Sequence, residues 1–548
     1  MYLKKNQTMK KYIYGTAILA AALSLTSCND WLTAETPGTT KLGEAFSNLD
    51  VAVNTTNAAY VPLMWEYGAS TTYYPEWFIG DVVSDDALKG GQYLQDMPAV
   101  RDMENFKTTT NNVYLLGFYR AQWQGISRAN LAIQEVPTTK VKEGEEATLD
   151  RLVGEAKFLR AYYYFRLVRI FGGMPLIDFV VDSSDKWHQE RSTQDETYQF
   201  IIKDLEAAEA VLPLKSKYSA DDLGRATKGA AQAMLLKANL YRAGFLAQAG
   251  NTDEAQKCYK AAAEWGKKII DSKQYSLDSE YFTNFLLKGE NDKESVFEIQ
   301  YVEDGMSDYG EGEGFTRGTF TLILQRSRSK HFGQTGWGFN KPTENLYNEY
   351  EPNDPRRDET IWRPAEGEMD TPAQETYLGD SLCSRKYAMY TDGTNGGCYK
   401  LTHDSRGPLN NKQIRYSDVL LMYAEACCES GDLASAKAAL NEIRSRVGLS
   451  TFPYTAKIQG KEVTFSDTQS DLRTAIRHER RVELAMEGHR WFDLCRWGIA
   501  KETMDAYLAQ ETPEAKAESA PFEKGKHELF PIPSQEIDIT GIAQNPNY

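Results

Sequence analysis

Between Tyr73 and Asp86 the chain gathers Tyr73, Tyr74, Trp77 and Phe78 with Asp81, Asp85 and Asp86, in a stretch without helical periodicity. Flat rings stack on the C–H faces of sugars and carboxylates accept hydrogen bonds from sugar hydroxyls, so this mixture suits glycan recognition. Tyr73, Tyr74, Trp77 and Asp81 are the residues assigned to such a site. The competing reading is that the rings plug the loop into the helices beneath it. A glycine-rich stretch further on, with Gly310, Gly312 and Gly314, offers Tyr309 and Phe315 as a second pair of ligand-facing rings. Asp81, Asp85 and Asp86 do not have the ligand spacing of an EF-hand loop and are expected to be solvated loop acids.

Other clusters point away from chemistry. His478, Glu479, Glu483, Glu487 and His489 lie close together, but not in the His-Glu-x-x-His spacing that sets two imidazoles on one helical turn. Arg480, Arg481 and Arg490 interleave with those carboxylates and compete for the lone pairs a metal would use. A scaffold ion-pair network beneath Trp491 and Trp497 is the expectation, with no metal and no cofactor. The sequence has no nucleophile elbow, Walker loop or dinucleotide fingerprint. Among 78 acidic residues a hydrolytic carboxylate pair has no signature of its own, so a surface glycoside hydrolase remains an alternative. Cys383 and Cys398 flank a loop and form the one candidate disulfide. Cys258, Cys427, Cys428 and Cys495 fall on helical faces, as small buried apolar groups do.

The N-terminus carries Lys4, Lys5, Lys10 and Lys11, an apolar run from Tyr12 to Leu25, and then Thr26-Ser27-Cys28. The run is too short to span a bilayer and reads as a secretory signal peptide. Small residues before the cysteine look like a lipobox, predicting cleavage before Cys28 and its lipidation, palmitate included. Residues 1–27 are thus a signal peptide and 28–43 a polar surface tether, leaving an otherwise soluble protein held at a membrane. The net charge of -16, with no basic stripe interleaved with aromatics, argues against nucleic acid as a partner.

The elements that must position these groups are mainly helical. Apolar periodicity predicts helices at Glu44 to Tyr67, Tyr114 to Gln134, Asp150 to Phe171, Thr193 to Leu212, Lys228 to Gly244, Thr252 to Ile270 and Asp471 to Glu487. From Gln413 to Leu449 a helical hairpin turns at Gly431-Asp432, with small alanines that allow close approach. It repeats the scheme of Lys228 to Ile270, the layout of a tetratricopeptide unit that needs stacked neighbours. Those neighbours are separated in sequence by residues 271–412, a loop-rich insertion with one short strand at Ser295 to Tyr301 and a short helix ending near Tyr350. The division is therefore 44–270 helical, 271–412 insertion, and 413–548 helical again.

Several runs resemble one family in its order: the lipobox at Cys28, FLRAYYYFRLVRIFGGMPL from Phe158, SVFEIQY from Ser295, PTENLYNEYEPNDPRR from Pro342, IRYSDVLLMYAEA from Ile414, RHERRVELAMEGHRWFDLCRWG from Arg477, and FPIPSQEI with terminal QNPNY. Together they resemble the SusD/RagB outer-membrane nutrient-binding lipoproteins of Bacteroidota. The resemblance implies a tetratricopeptide-like scaffold of four helix pairs carrying an irregular ligand-binding subdomain. It implies a surface-exposed, lipid-anchored, non-enzymatic protein that captures an oligosaccharide, or a peptide in the RagB branch. It also implies a partner, a SusC-like TonB-dependent transporter to which the ligand passes. Binding residues differ among family members, so none is carried over by motif.

Overall fold

Ten helices carry the scaffold: α1 Leu49–Tyr60, α2 Val113–Glu135, α3 Glu146–Phe171, α4 Gln194–Val211, α5 Lys228–Gln248, α6 Thr252–Ser272, α7 Tyr416–Ser430, α8 Leu433–Arg446, α9 Gln469–Glu483 and α10 Arg490–Arg496. The computed structural model that defines them describes residues 46–66, 75–303, 317–329, 335–365, 381–387 and 406–548. Their ends follow local chemistry. Thr193 forms a capping box with Glu196 at the start of α4, while Thr227, Asp432 and Thr468 cap α5, α8 and α9. Gly431, at φ 94°, closes α7 in a left-handed conformation that a side chain would strain, which is why the hairpin turns there.

The helices stack in sequence order from α2 to α6, and α6 then packs directly on α7, which contacts α8 and α9. The predicted helical array is therefore continuous in space although the insertion interrupts it in sequence. Residues Asn48–Tyr548 form one compact unit. At its centre α3 is buried on almost every side, with Tyr162, Tyr163 and Tyr164 at 3%, 0% and 0% exposure. Such burial requires partners for the hydroxyls. Tyr163 donates to the carbonyl of Ala59 at 2.7 Å and Tyr164 to that of Pro175 at 2.9 Å. Among the described residues no helix is long and apolar enough to cross a membrane.

Six strands matter to the site: β1 Ala87–Gly90, β2 Ser295–Ile299, β3 Phe339–Pro342, β4 Asn411–Arg415, β5 Tyr454–Ile458 and β6 Lys461–Phe465. The pairing of β2 with β4 is antiparallel, Ser295 opposite Arg415 and Ile299 opposite Asn411. The strand on which the insertion departs is thus bonded to the strand on which it returns, and β4 runs straight into α7. The pairing of β1 with β3 joins the aromatic-acidic segment to the insertion, Ala87 opposite Pro342 and Gly90 opposite Phe339.

Two expectations change. The aromatic-acidic stretch, read as a loop, contains the helical turn Trp77–Gly80 and leads into strand β1 and the helix Pro98–Glu104. Between Leu449 and α9, where no element is expected, the chain forms a hairpin, β5 to β6, turning at Gln459 and Gly460 with φ of 52° and 71°. Positive φ at both central positions is the turn that matches strand twist. Its alternation was visible: Tyr454, Ala456 and Ile458 are buried while Thr455 and Lys457 are exposed.

Candidate functional site

Helix α9 is the hub from which the rest is positioned. Its Glu479, Arg480, Arg481 and Glu483 are all buried, and together they reach several distant parts of the chain. Glu479 accepts from Arg356 at 2.6 Å and from Arg444 at 2.8 Å. Glu483 accepts from Arg356 at 2.9 Å, Arg415 at 2.5 Å and Arg446 at 2.5 Å. Arg480 bridges Asp418 of α7 and Asp493 of α10, both at 2.6 Å. Insertion, hairpin and α10 therefore meet on one helix, and the ion-pair network expected beneath Trp491 is present, with Trp491 itself 1% exposed.

The aromatic-acidic segment is held by the same hub, which corrects the reading of its acids as solvated. Asp85 receives a bidentate pair from Arg490 at 2.8 and 2.9 Å, and Asp86 is bonded by Arg481 at 2.7 Å. Neutralised carboxylates can be buried where bare ones cannot, and both are 2% exposed or less. Asp81 is 1% exposed and accepts from the Gly488 amide at 2.8 Å and the Asn340 amide at 3.1 Å. Gly80 presses on the same turn, where an added Cβ would meet the Gly488 carbonyl oxygen at 2.1 Å. Trp77 is 5% exposed, its indole donating to Thr321 Oγ1 at 3.1 Å and its ring 4.0 Å from that of Phe78. Trp77 and Asp81 thus sit in the interior rather than offering an open face to a sugar; for these rings the plug wins over the platform.

Among the described residues no cation lies in hydrogen-bond reach of Asp81 to offset its burial, and burial pushes its carboxyl up to about 7. A carboxyl raised above its unfolded value lowers folded-state stability as pH climbs from the unfolded pKa through the folded one. Asp81→Asn removes that titration, and an amide flip of Asn340, whose Oδ1 has no partner among the described residues, restores the pairing. The variant is expected to melt above the parent protein, by a margin that widens from about pH 4 to about pH 7 and is constant beyond. Parallel melting curves across that range check it; a margin independent of pH would refute the assignment.

Above this base the roots of several segments converge on one strut, Thr319 to the helix Thr321–Gln325. Glu66 Oε2 accepts from Thr319 Oγ1 at 2.7 Å, Phe320 N at 2.6 Å and Thr321 N at 3.0 Å, and Oε1 from Thr321 Oγ1 at 3.0 Å. This clasp satisfies the first amides of the short helix with a carboxylate. Residues 67–74 leave directly after Glu66 and return at Pro75 beside Trp77. Residues 304–316 leave after Glu303 and return at Arg317, where the Val302 amide bonds the Arg317 carbonyl at 3.0 Å. Residues 388–405 return at Arg406, whose guanidinium lies 4.7 Å from the Phe320 ring, and Gly407 exchanges two backbone bonds with Thr319. Residues 330–334 return just before Trp337, whose amide bonds Ile323 O at 2.7 Å and whose ring meets Phe320 at 5.3 Å.

Of the residues singled out from sequence, Tyr73, Tyr74, Tyr309 and Phe315 lie outside the described residues, as do Cys28 and Cys398. What the structure adds is that the segments bearing Tyr73 and Tyr74, and Tyr309 and Phe315, are rooted at the same clasp. Sequence reasoning missed Glu66, Thr319, Thr321 and Arg406. Their only trace is position, each standing at the edge of a loop. Beneath the clasp a cavity of about 50 Å3 is lined by Glu66, Trp77, Arg166, Tyr301 and His489. That is room for ordered water and not for a sugar ring.

A helical-repeat scaffold whose insertion gathers loop roots on one strut is a ligand-capture architecture, in which rigid helices carry variable contacts. The chain matches a family described as SusD over residues 293–548, and one described as starch-binding and associating with the outer membrane over residues 54–240. It belongs to the SusD family. A SusD-like protein of Formosa agariphila is 26% identical over 558 residues, covering 98% of this chain and 100% of the relative. The solved surface glycan-binding protein A from Bacteroides fluxus has a TM-score of 0.75 at 25% identity, over 92% of this chain and 100% of the other. A solved laminarin-binding SusD-like protein has a TM-score of 0.72 at 26% identity, again over 92% and 100%.

Proposed function

We propose that the protein is a lipid-anchored glycan-binding protein of the cell surface that captures oligosaccharides and delivers them to a SusC-like TonB-dependent outer-membrane transporter. The observation that carries the reading is the clasp of Glu66 on Thr319 and Thr321, which roots two aromatic-bearing segments at one place on a SusD scaffold. Tyr73, Tyr74, Tyr309 and Phe315 are the proposed stacking rings, with Trp77 and Asp81 holding the base of the first segment. The similarity to a laminarin-binding relative makes laminarin oligosaccharides the first probe, and the starch-binding family description makes maltooligosaccharides the second. Lipidation at Cys28 supplies the anchor, and Cys28→Ala is expected to abolish acylation.

Isothermal titration of the parent protein against laminarin oligosaccharides, maltooligosaccharides and peptides tests this reading. Saccharide binding with no new reducing ends over hours is the expected result; peptide binding alone, or release of reducing ends, overturns it. Each stacked ring contributes about 0.5–1.5 kcal/mol. Tyr73→Ala and Tyr74→Ala together are therefore expected to weaken saccharide binding about tenfold or more while leaving the melting temperature unchanged.

A further inference from the structure

An open cleft of about 540 Å3 is lined by α4, α5, α10 and the C-terminal segment. The volume is that of a small-molecule site. Its walls include the rings of Tyr198, Tyr241, Phe245 and Phe492. Guanidiniums lie over two of these rings, Arg169 at 4.1 Å from the Phe492 centroid and Arg496 at 5.2 Å from that of Tyr241. Lys524 and Lys526 join the lining, against one carboxylate, Glu528. In a chain of net charge -16 this is a local inversion of sign.

Part of that charge is matched elsewhere. Arg496 is held by Glu425 at 2.5 Å and Asp493 at 2.8 Å, and Lys526 by Glu523 at 3.1 Å. Arg169, in contrast, shares the single carboxylate of Glu76 with Arg166, and exposed Lys524 makes no ion pair among the described residues. Deeper in the wall, Arg169 and the Tyr241 hydroxyl are paired with each other.

We propose that this cleft binds a small organic anion, a carboxylate or sulfate carried on a ring, with the ring against the aromatic walls and the charge met by the lining cations. Arg169 borders both this cleft and the small cavity beneath the clasp, and the proposal does not rest on what binds at the loops. Ligand-observed NMR on the full chain tests it with benzoate, glucuronate, glucose 6-sulfate and neutral glucose as probes. Two variants at exposed positions of the lining, Lys524→Glu and Ala249→Trp, reverse one charge and narrow the cleft. At least one anion is expected to bind about tenfold more tightly than glucose, and to lose about tenfold in each variant that retains the parent melting temperature. Oligosaccharide affinity stays unchanged in those variants. Preference for glucuronate or for the sulfate ester identifies the headgroup. No anion binding, equal affinity for glucose, or anion binding that survives Lys524→Glu unchanged overturns the proposal.

Discussion

Glu483→Ala is expected to destabilise the protein by about 3–5 kcal/mol, the cost of breaking a buried ion-pair cluster from one side. Glu483 is fully buried and is the anion shared by Arg356, Arg415 and Arg446. Its removal leaves those guanidiniums with fewer counter-charges in a place without solvent: among the described residues Arg356 retains Asp354 and Glu479, Arg415 retains Glu294 and Glu487, and Arg446 retains Glu294. Glu483→Gln keeps the size and an acceptor but not the charge, and is expected to fall between parent and Ala variant. Burial alone would raise the Glu483 carboxyl, but Arg446, Arg415 and Arg356 override it and hold the group well below the usual carboxylate range. A depressed carboxylate contributes stability above its unfolded pKa of about 4.3 and loses it as pH falls toward the folded value. The parent protein therefore weakens as it is acidified below about pH 5, and Glu483→Ala weakens less steeply. Denaturant titrations at neutral pH and at pH 4 give both numbers; a loss under about 1 kcal/mol at neutral pH would show that the cluster re-pairs without it.

The network also explains what could be read in advance and what could not. Helix and hairpin periodicity is local, so α7, the turn at Gly431 and α8 were legible, as were the starts of α5 at Lys228 and α6 at Thr252. The interleaving of Arg480 and Arg481 with Glu479 and Glu483 announced ion pairs within the stretch itself. What the sequence hides is the identity of partners across long separations. Asp86 meets Arg481 across 395 residues and Asp85 meets Arg490 across 405, so acids that look solvated in their own neighbourhood are buried. The same holds at the candidate site, where Glu66 finds Thr319 and Thr321 across 253 and 255 residues. Aromatic-rich, acid-rich composition describes both a glycan loop and a plug neutralised from afar, and only the distant arginines distinguish them.

Trp77→Ala separates those two descriptions directly. An exposed stacking platform, once truncated, costs affinity and leaves the melting temperature where it was. A ring 5% exposed, packed on Phe78 and bonded to Thr321, costs stability instead, about 3–5 kcal/mol for loss of a large buried aromatic. The second outcome is expected. Trp77→Phe keeps most of the packing and loses the indole donor, leaving Thr321 Oγ1 still bonded to Glu66 at 3.0 Å, so it should cost about 1 kcal/mol. Because Trp77 and Glu66 grip the same residue, Thr321, loosening one loosens the strut on which residues 67–74 and 304–316 are rooted. Saccharide affinity is then expected to fall in Trp77→Ala in step with stability and to return in Trp77→Phe. Thermal melts and titration at a temperature where each variant is folded measure the two together. An unchanged melting temperature with lost affinity would return Trp77 to the ligand face and move the site inward from the loops.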